Sequence, residues 1–350
     1  MLSGPKPKLL ISMLVLAGIL VLPAAAHAML AYVKYGRYPL SPYVFTATNA
    51  GKEEIRVGRG YDPQVSPDGA AVAYINEEPS SGRHRLKVVS VRGGASDQLF
   101  DAARISFVTW SPDSETIAAV RAPRHGPQAL VLVSTVFGGE RVVARGHFTG
   151  VSFSPDGTQL AFSRVVNRGD RRPGNDIFRI SVGAPHSVQR LTYDHRSKRP
   201  VWGVSDQIAF VKEMGSKHHE QLYGMTGDGG SVYRMVPRRS YAKPREIVPV
   251  AWSANGRLLL ANVYPNAGSR SGVALMVEPG THAQWPAQRP KAGFVGVSFS
   301  CDGHRVLGSS GGFHSLSNHR VGTVASNGSW AAMSVLTRFA FEPSWGTCGG

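Results

Sequence analysis

The chain has 350 residues, 42% of them hydrophobic, with 40 glycines and a formal net charge of +16 at neutral pH. This is enough apolar chain for a large core, and with only two cysteines it carries no Cys-rich metal motif. The charge points to anionic surfaces, whether acidic polysaccharide, lipid head groups, nucleic acid or an acidic protein, without choosing among them.

Residues 1–28 read as a secretory signal peptide. Lys6 and Lys8 precede the uncharged run LLISMLVLAGILVL (9–22), and PAAAHA supplies an A-x-A cleavage site. That run is short for a membrane span, and no cysteine follows it to carry a lipid anchor; an uncleaved anchor is the alternative. Cleavage places the mature start near Met29 and the protein in the periplasm or outside the cell. The segment contains two lysines and no acids, so the mature chain stays strongly basic.

Next come MLAYVKY (29–35) and PYVFTATNAGKEEIRV (42–57), which read as one strand, then a strand, a turn and a strand. A hairpin motif follows and recurs: PQVSPDGAAVAYI (63–75), VTWSPDSETIAAV (108–120), VSFSPDGTQLAF (151–162), PVWGVSDQIAFV (200–211), VAWSANGRLLLANV (250–263) and VSFSCDGHRVLGSS (297–310). In the third copy Pro155 presets φ, Asp156 bonds its own backbone and Gly157 takes the positive φ that closes the turn. On either side the alternation of Val151 and Phe153, then Leu160 and Phe162, has the period of a half-buried strand. The first turn residues (Ser66, Ser111, Ser154, Gly203, Ser253, Ser300) are 43 to 50 residues apart. A period of this size with four strands per unit is the mark of a β-propeller blade.

Each hairpin is followed by a third strand, a Gly-rich turn and a fourth strand, as in RLKVVSV, RGGAS and DQLF of the first copy. At the chain's end RFAFEPSWGT (338–347) reads as a lone first strand. Joined to the strands of 29–57 it completes one more unit and removes unpaired edges. The expected fold is all-β: one β-propeller domain over 29–350, of seven four-stranded antiparallel blades, its ring closed by the N- and C-terminal strands. Six blades is the alternative. Cys301 lies in the turn of the sixth copy and Cys348 at nearly the same place in the closing unit. An exported setting allows a disulfide between them that staples the ring, contributing roughly 2–4 kcal/mol.

The repeat pattern (aromatic-Ser-Pro-Asp-Gly, an apolar pair ending in an aromatic, a Gly-Gly turn) and the ending FEPSW resemble the TolB-type propeller repeats of exported bacterial proteins. The resemblance implies the fold, and a role either as a binding platform or as an accessory domain of a peptidase. TolB carries a separate N-terminal α/β domain, for which this sequence leaves no room before residue 42.

Strand order puts the short turns on one side of the disc and the long loops on the other, where binding residues usually sit. Basic residues gather in three of these loops: Arg168, Arg171 and Arg172; His195, Arg196, Lys198 and Arg199; and Arg238, Arg239, Lys243 and Arg245 around Tyr241. Arginine forks suit carboxylate or phosphate, so these residues are the candidate anion site; a solvated charged rim is the alternative. His84, His125, His147, His195, His218, His219, His314 and His319 share that side in no tight ligand spacing, and no cofactor or metal is expected. GSSGG (308–312) matches a nucleophile elbow but follows a strand with no helix to come, and RGD (168–170) lies in an Arg-rich loop where chance explains it. There is no phosphate loop or dinucleotide fingerprint.

The expected function is a non-enzymatic binding or scaffolding module of the cell envelope, taking an acidic protein or an anionic envelope polymer, with no specific nucleic-acid binding. A metal-dependent enzyme on acidic polysaccharide, resembling the propeller lyases of pectic oligosaccharides, is the second reading. A detached peptidase propeller is the third.

Overall fold

The computed structural model describes residues 29–35, 41–168, 171–184, 187–215, 219–236, 246–264, 272–287, 293–310, 319–329 and 332–346. The signal-peptide assignment for residues 1–28 lies outside them. The described residues form 28 strands, grouped in fours. Strands β1 to β3 are Met29–Tyr35, Pro42–Thr48 and Ile55–Arg59. Unit one is β4 to β7 (Tyr61–Val65, Ala71–Glu77, His84–Ser90, Asp97–Ala102), and unit two is β8 to β11 (Arg104–Trp110, Thr116–Ala122, Gln128–Ser134, Glu140–Gly146). Unit three is β12 to β15 (Phe148–Phe153, Gln159–Arg168, Arg171–Ser181, Gln189–Arg190), and unit four is β16 to β19 (Ser197–Gly203, Gln207–Met214, His219–Thr226, Tyr233–Arg234). Unit five is β20 to β23 (Glu246–Trp252, Leu259–Tyr264, Val273–Glu278, Ala283–Pro286), and unit six is β24 to β27 (Phe294–Phe299, Arg305–Ser310, Arg320–Ala325, Ser334–Arg338). The last strand, β28, is Ala340–Trp345.

Within every unit successive strands pair antiparallel. Units five and six run together through a single parallel pair, Val273↔Phe294. The terminal strands behave as the sequence suggests: β28 pairs antiparallel with β1, from Leu30↔Trp345 to Lys34↔Ala340, in a sheet ordered β28-β1-β2-β3. We call this the terminal unit.

The Ser-Pro-Asp-Gly segments are the tight turns their chemistry dictates. Gly157 has φ 71° and donates its N–H to the Ser154 carbonyl at 2.9 Å. Ser154 Oγ donates to Asp156 Oδ1 at 2.5 Å and accepts from the Gln159 N–H at 2.9 Å. The same bonds recur at Ser66, Ser111, Ser253 and Ser300. In unit two Ser114 takes the left-handed position with φ 64°.

The strands differ from expectation in one respect. The second strand of each unit is not half-buried; both faces are covered. Val72 and Tyr74 pack toward the terminal unit, while Ala73 and Ile75 pack toward unit two. Likewise Ile117 and Ala119 face unit one, and Ala118 and Val120 face unit three. Each sheet is sandwiched between two others, so its inner strands read as near-continuous apolar runs rather than alternating ones. Among the described residues seven apolar clusters result, each shared by two neighbouring units. The terminal unit shares one cluster with unit one and another with unit six. The first strands touch in the order β4, β8, β12, β16, β20, β24, β28, and β28 touches β4. No helix among the described residues is long and apolar enough to cross a membrane.

Candidate functional site

The first strand of each unit runs from the long-loop side to the serine turn. Three to five residues before that turn its pairing with the second strand skips, and the fourth residue before the turn lies in or beside the skip. In four units the residue there is left-handed and not glycine: Asp62 (φ 52°), Phe107 (φ 53°), Arg199 (φ 56°) and Glu342 (φ 49°). Such a conformation costs an L-residue on the order of 1–3 kcal/mol, and it gathers where a side chain is being re-aimed. Gly150, Pro249 and Gly296 hold the equivalent place in the other three units.

Two of these side chains, Glu342 and Arg199, reach the next unit's first strand. Glu342 Oε2 accepts the Asp62 N–H at 2.8 Å. Arg199 donates to Glu246 Oε1 at 2.6 Å and to the Ile247 carbonyl at 3.3 Å. Glu342 is walled by protein yet open to solvent. Burial pushes the carboxyls of Asp62 and Glu342 above their usual range, and for Glu342 the nearby Asp62 charge adds to it. The Tyr61 hydroxyl beside them is pushed up to about 12, chiefly by burial and then by the charges of Glu77, Asp62 and Glu342.

Of the basic residues singled out in the sequence, four have described side chains. Lys198 and Arg199 sit together but are occupied with carboxylates. Lys198 pairs with Glu213 and, at 2.7 Å, with Glu220. Arg199 pairs with Glu220 at 3.3 Å and with Glu246. Glu220 is only 6% exposed and also accepts the Ile247 N–H at 2.7 Å, so this network ties unit four to unit five. His195 donates its N–H to Asp176 Oδ1 at 2.9 Å, and its Nδ1 lies 3.3 Å from Asp176 Oδ2. Asp176 is fully buried and is also held by Arg190 and Thr192. Arg196 is exposed. The side chains of Arg168, Arg171 and Arg172, and residues Arg238, Arg239, Lys243 and Arg245, lie outside the described residues, as do His218 and His314.

The described histidines serve separate units. His84 Nδ1 accepts from the Ile105 N–H at 3.3 Å and lies 3.1 Å from the Tyr61 hydroxyl. A backbone N–H can only donate, so the His84 proton resides on Nε2. Burial pushes the ring's pKa down, in keeping with a neutral imidazole. Among the described residues no three His, Cys, Asp or Glu converge as a metal site. Ser310 of GSSGG is a paired strand residue, opposite Phe294 and Arg320, whereas the nucleophile of an elbow sits on a strained turn. Cys301 is in a disulfide, and Cys348 lies outside the described residues.

Repeat chemistry alone did not point to the exposed aromatics. Tyr35 (41%), Phe107 (40%), Tyr193 (70%) and Phe339 (58%) are open to solvent. Tyr35 ends β1, Tyr193 and Phe339 lie in loops entering β16 and β28, and Phe107 occupies the re-aimed position of β8. All four belong to the long-loop side or the inner edge. Aligning the repeats on their turn serines would have marked Phe107; no sequence signal marks the others.

No protein-family model matches the chain. It is 27% identical over 158 residues to the uncharacterized peptidase YuxL of Bacillus subtilis (strain 168), a match that covers 43% of this chain and 24% of that protein. The chain thus aligns with about a quarter of that relative's length. The β-propeller domain of the Trilobed protease from Pyrococcus furiosus, described as having an open velcro topology, superposes with a TM-score of 0.69 at 12% identity, covering 89% of this chain and 95% of that one. TolB from Acinetobacter baumannii superposes with a TM-score of 0.57 at 16% identity, covering 90% and 81%. At such identities the likeness concerns the fold: the chain is a TolB-like β-propeller, an architecture that proteases carry as well.

Proposed function

We propose that this chain is an exported, non-enzymatic propeller of seven blades that binds an acidic protein partner in the cell envelope across its long-loop face. The observation that carries the reading is the group of exposed aromatics Tyr35, Phe107, Tyr193 and Phe339 at the long-loop side and inner edge; one more, Phe137, is exposed in the β10–β11 turn on the opposite side and takes no part in it. Protein interfaces are enriched in these residue types, and a few such anchors supply most of the binding energy. The cations of 168–172 and 238–245, which strand order assigns to the same face, supply long-range attraction for an acidic surface. Ring closure is supported by the β1–β28 pairing and by the clusters the terminal unit shares on both sides. A Cys301–Cys348 disulfide would lock that closure. Export rests on the charge and hydropathy pattern of residues 1–28.

The test is capture from envelope extract with the tagged mature chain, comparing wild type with a Phe107→Ser/Tyr193→Ala double variant at low and high salt. The expected result is an acidic protein retained by wild type, weakened at least about tenfold by the double variant and by high salt. Capture unaffected by both, or lyase activity on oligogalacturonate, overturns it. The match to a peptidase favours a second reading, in which the same face docks a hydrolase; a hydrolase as the captured partner would select it.

A further inference from the structure

Where unit two meets unit three on the long-loop side, positive charge has no counter-charge in contact with it among the described residues. Arg164, midway along β13, is partly buried. Its Nη1 donates to the Arg145 carbonyl at 3.3 Å, and its guanidinium lies 4.3 Å from the centre of the Phe178 ring. The Arg190 guanidinium is 6.0 Å from the same ring and 4.7 Å from the exposed Tyr193 ring, so two guanidiniums and two rings form one cluster. Arg190 has its carboxylate in Asp176. Arg164 pairs with none among the described residues, although Asp176 is its register partner across the sheet. Burial and the Arg190 charge push its pKa below the usual arginine value. Arg145 and His147, one strand away, are exposed, and Arg145 likewise has no carboxylate partner among the described residues.

A partly buried cation is normally paired, because its lost hydration must be replaced. Here the described residues supply a ring face and a carbonyl but no carboxylate in ion-pair contact, so the site is electrostatically incomplete. We propose that Arg164, with Arg145, forms a subsite for a side-chain carboxylate of an acidic polypeptide, stacked beside Tyr193. This rests on the binding reading above and names the contact that reading lacks. A guanidinium fork matches a carboxylate in two parallel hydrogen bonds. The net charge of +16 and the exposed Tyr193 ring beside Arg190 suit a polypeptide that offers a carboxylate next to an apolar side chain.

The test is fluorescence polarisation with a labelled peptide of the repeat Glu-Leu-Glu, beside an oligogalacturonate of equal charge, on the mature chain. Arg164→Gln should weaken peptide binding about tenfold. Arg56→Gln, which removes an exposed arginine stacked on Tyr43, should leave it unchanged. Without peptide, Arg164→Gln should melt within about 2–4 °C of wild type, because it loses one carbonyl bond and one ring contact but no ion pair. Peptide binding that ignores Arg164, or Arg164-dependent binding of the uronate oligomer alone, overturns the subsite. So does a variant that melts further below wild type than that while binding normally, since the arginine then serves the fold. Envelope capture that depends on Phe107 and Tyr193 while the peptide ignores Arg164 sinks the subsite and spares the broader reading.

Discussion

At the residue scale, the pair Asp62 and Glu342 shows what a left-handed bulge does to charge. Two carboxyls from different units are brought to one seam, joined by a backbone N–H and faced by the hydroxyls of Tyr35 and Tyr61. Both bind protons more tightly in the folded chain than in the unfolded one, so their ionised forms cost stability at neutral pH. The cost is relieved as the pH falls through the raised folded values, and relief is complete below the ordinary 3.8 and 4.5. Glu342→Gln keeps an acceptor for the Asp62 N–H while removing the charge. It should raise the melting temperature at pH 7 by about 1–3 °C and flatten the rise seen in wild type on acidification. Parallel melting profiles for variant and wild type would show that the seam charge is irrelevant. Alignment of the repeats already puts these residues in register. It could not reveal that Lys198 and Arg199, read as an anion site, would meet Glu213, Glu220 and Glu246, because those acids arrive on other strands.

At the element scale, tryptophans before the turns stitch one unit to the previous one. Trp110 Nε1 donates to the Gln64 carbonyl at 2.9 Å, and Trp252 Nε1 donates to the Val201 carbonyl at 3.0 Å. Trp345 occupies the same place in β28, but its Nε1 is buried with no hydrogen-bond partner among the described residues. Trp252→Phe should therefore cost about 1–3 kcal/mol in a urea titration, since it leaves a carbonyl unpaired and trims a packed ring. Trp345→Phe should cost clearly less, because it removes an unsatisfied donor. Equal losses would mean that packing alone decides. The hairpins themselves were legible: Ser-Pro-Asp-Gly specifies its turn within four residues. The double-sided burial of the second strands was hidden, because small alanines such as Ala73, Ala118 and Ala161 break the visible apolar run while being fully buried.

At the scale of the whole molecule, the weak point of a ring is where the chain's two ends meet. There β28 completes a sheet begun by β1, and Val65 of unit one donates its N–H to Ser344 Oγ at 3.0 Å. A disulfide from Cys301 to Cys348 would tether the strand that closes this sheet to unit six. Cys301→Ser should then lower stability by about 2–4 kcal/mol under oxidising conditions and leave it unchanged under reducing ones. Equal denaturation midpoints for wild type with and without reductant would remove the disulfide from the account.

The sequence by itself determined the strand hairpins, the repeat period and the joining of the two terminal segments, because turn chemistry and apolar periodicity act over a few residues and survive any packing. Tertiary structure alone decided which charges are neutralised and which stand open. An ion pair such as Arg199 with Glu246, or an arginine with no carboxylate partner among the described residues such as Arg164, depends on distances between strands that only the stacking of the sheets establishes.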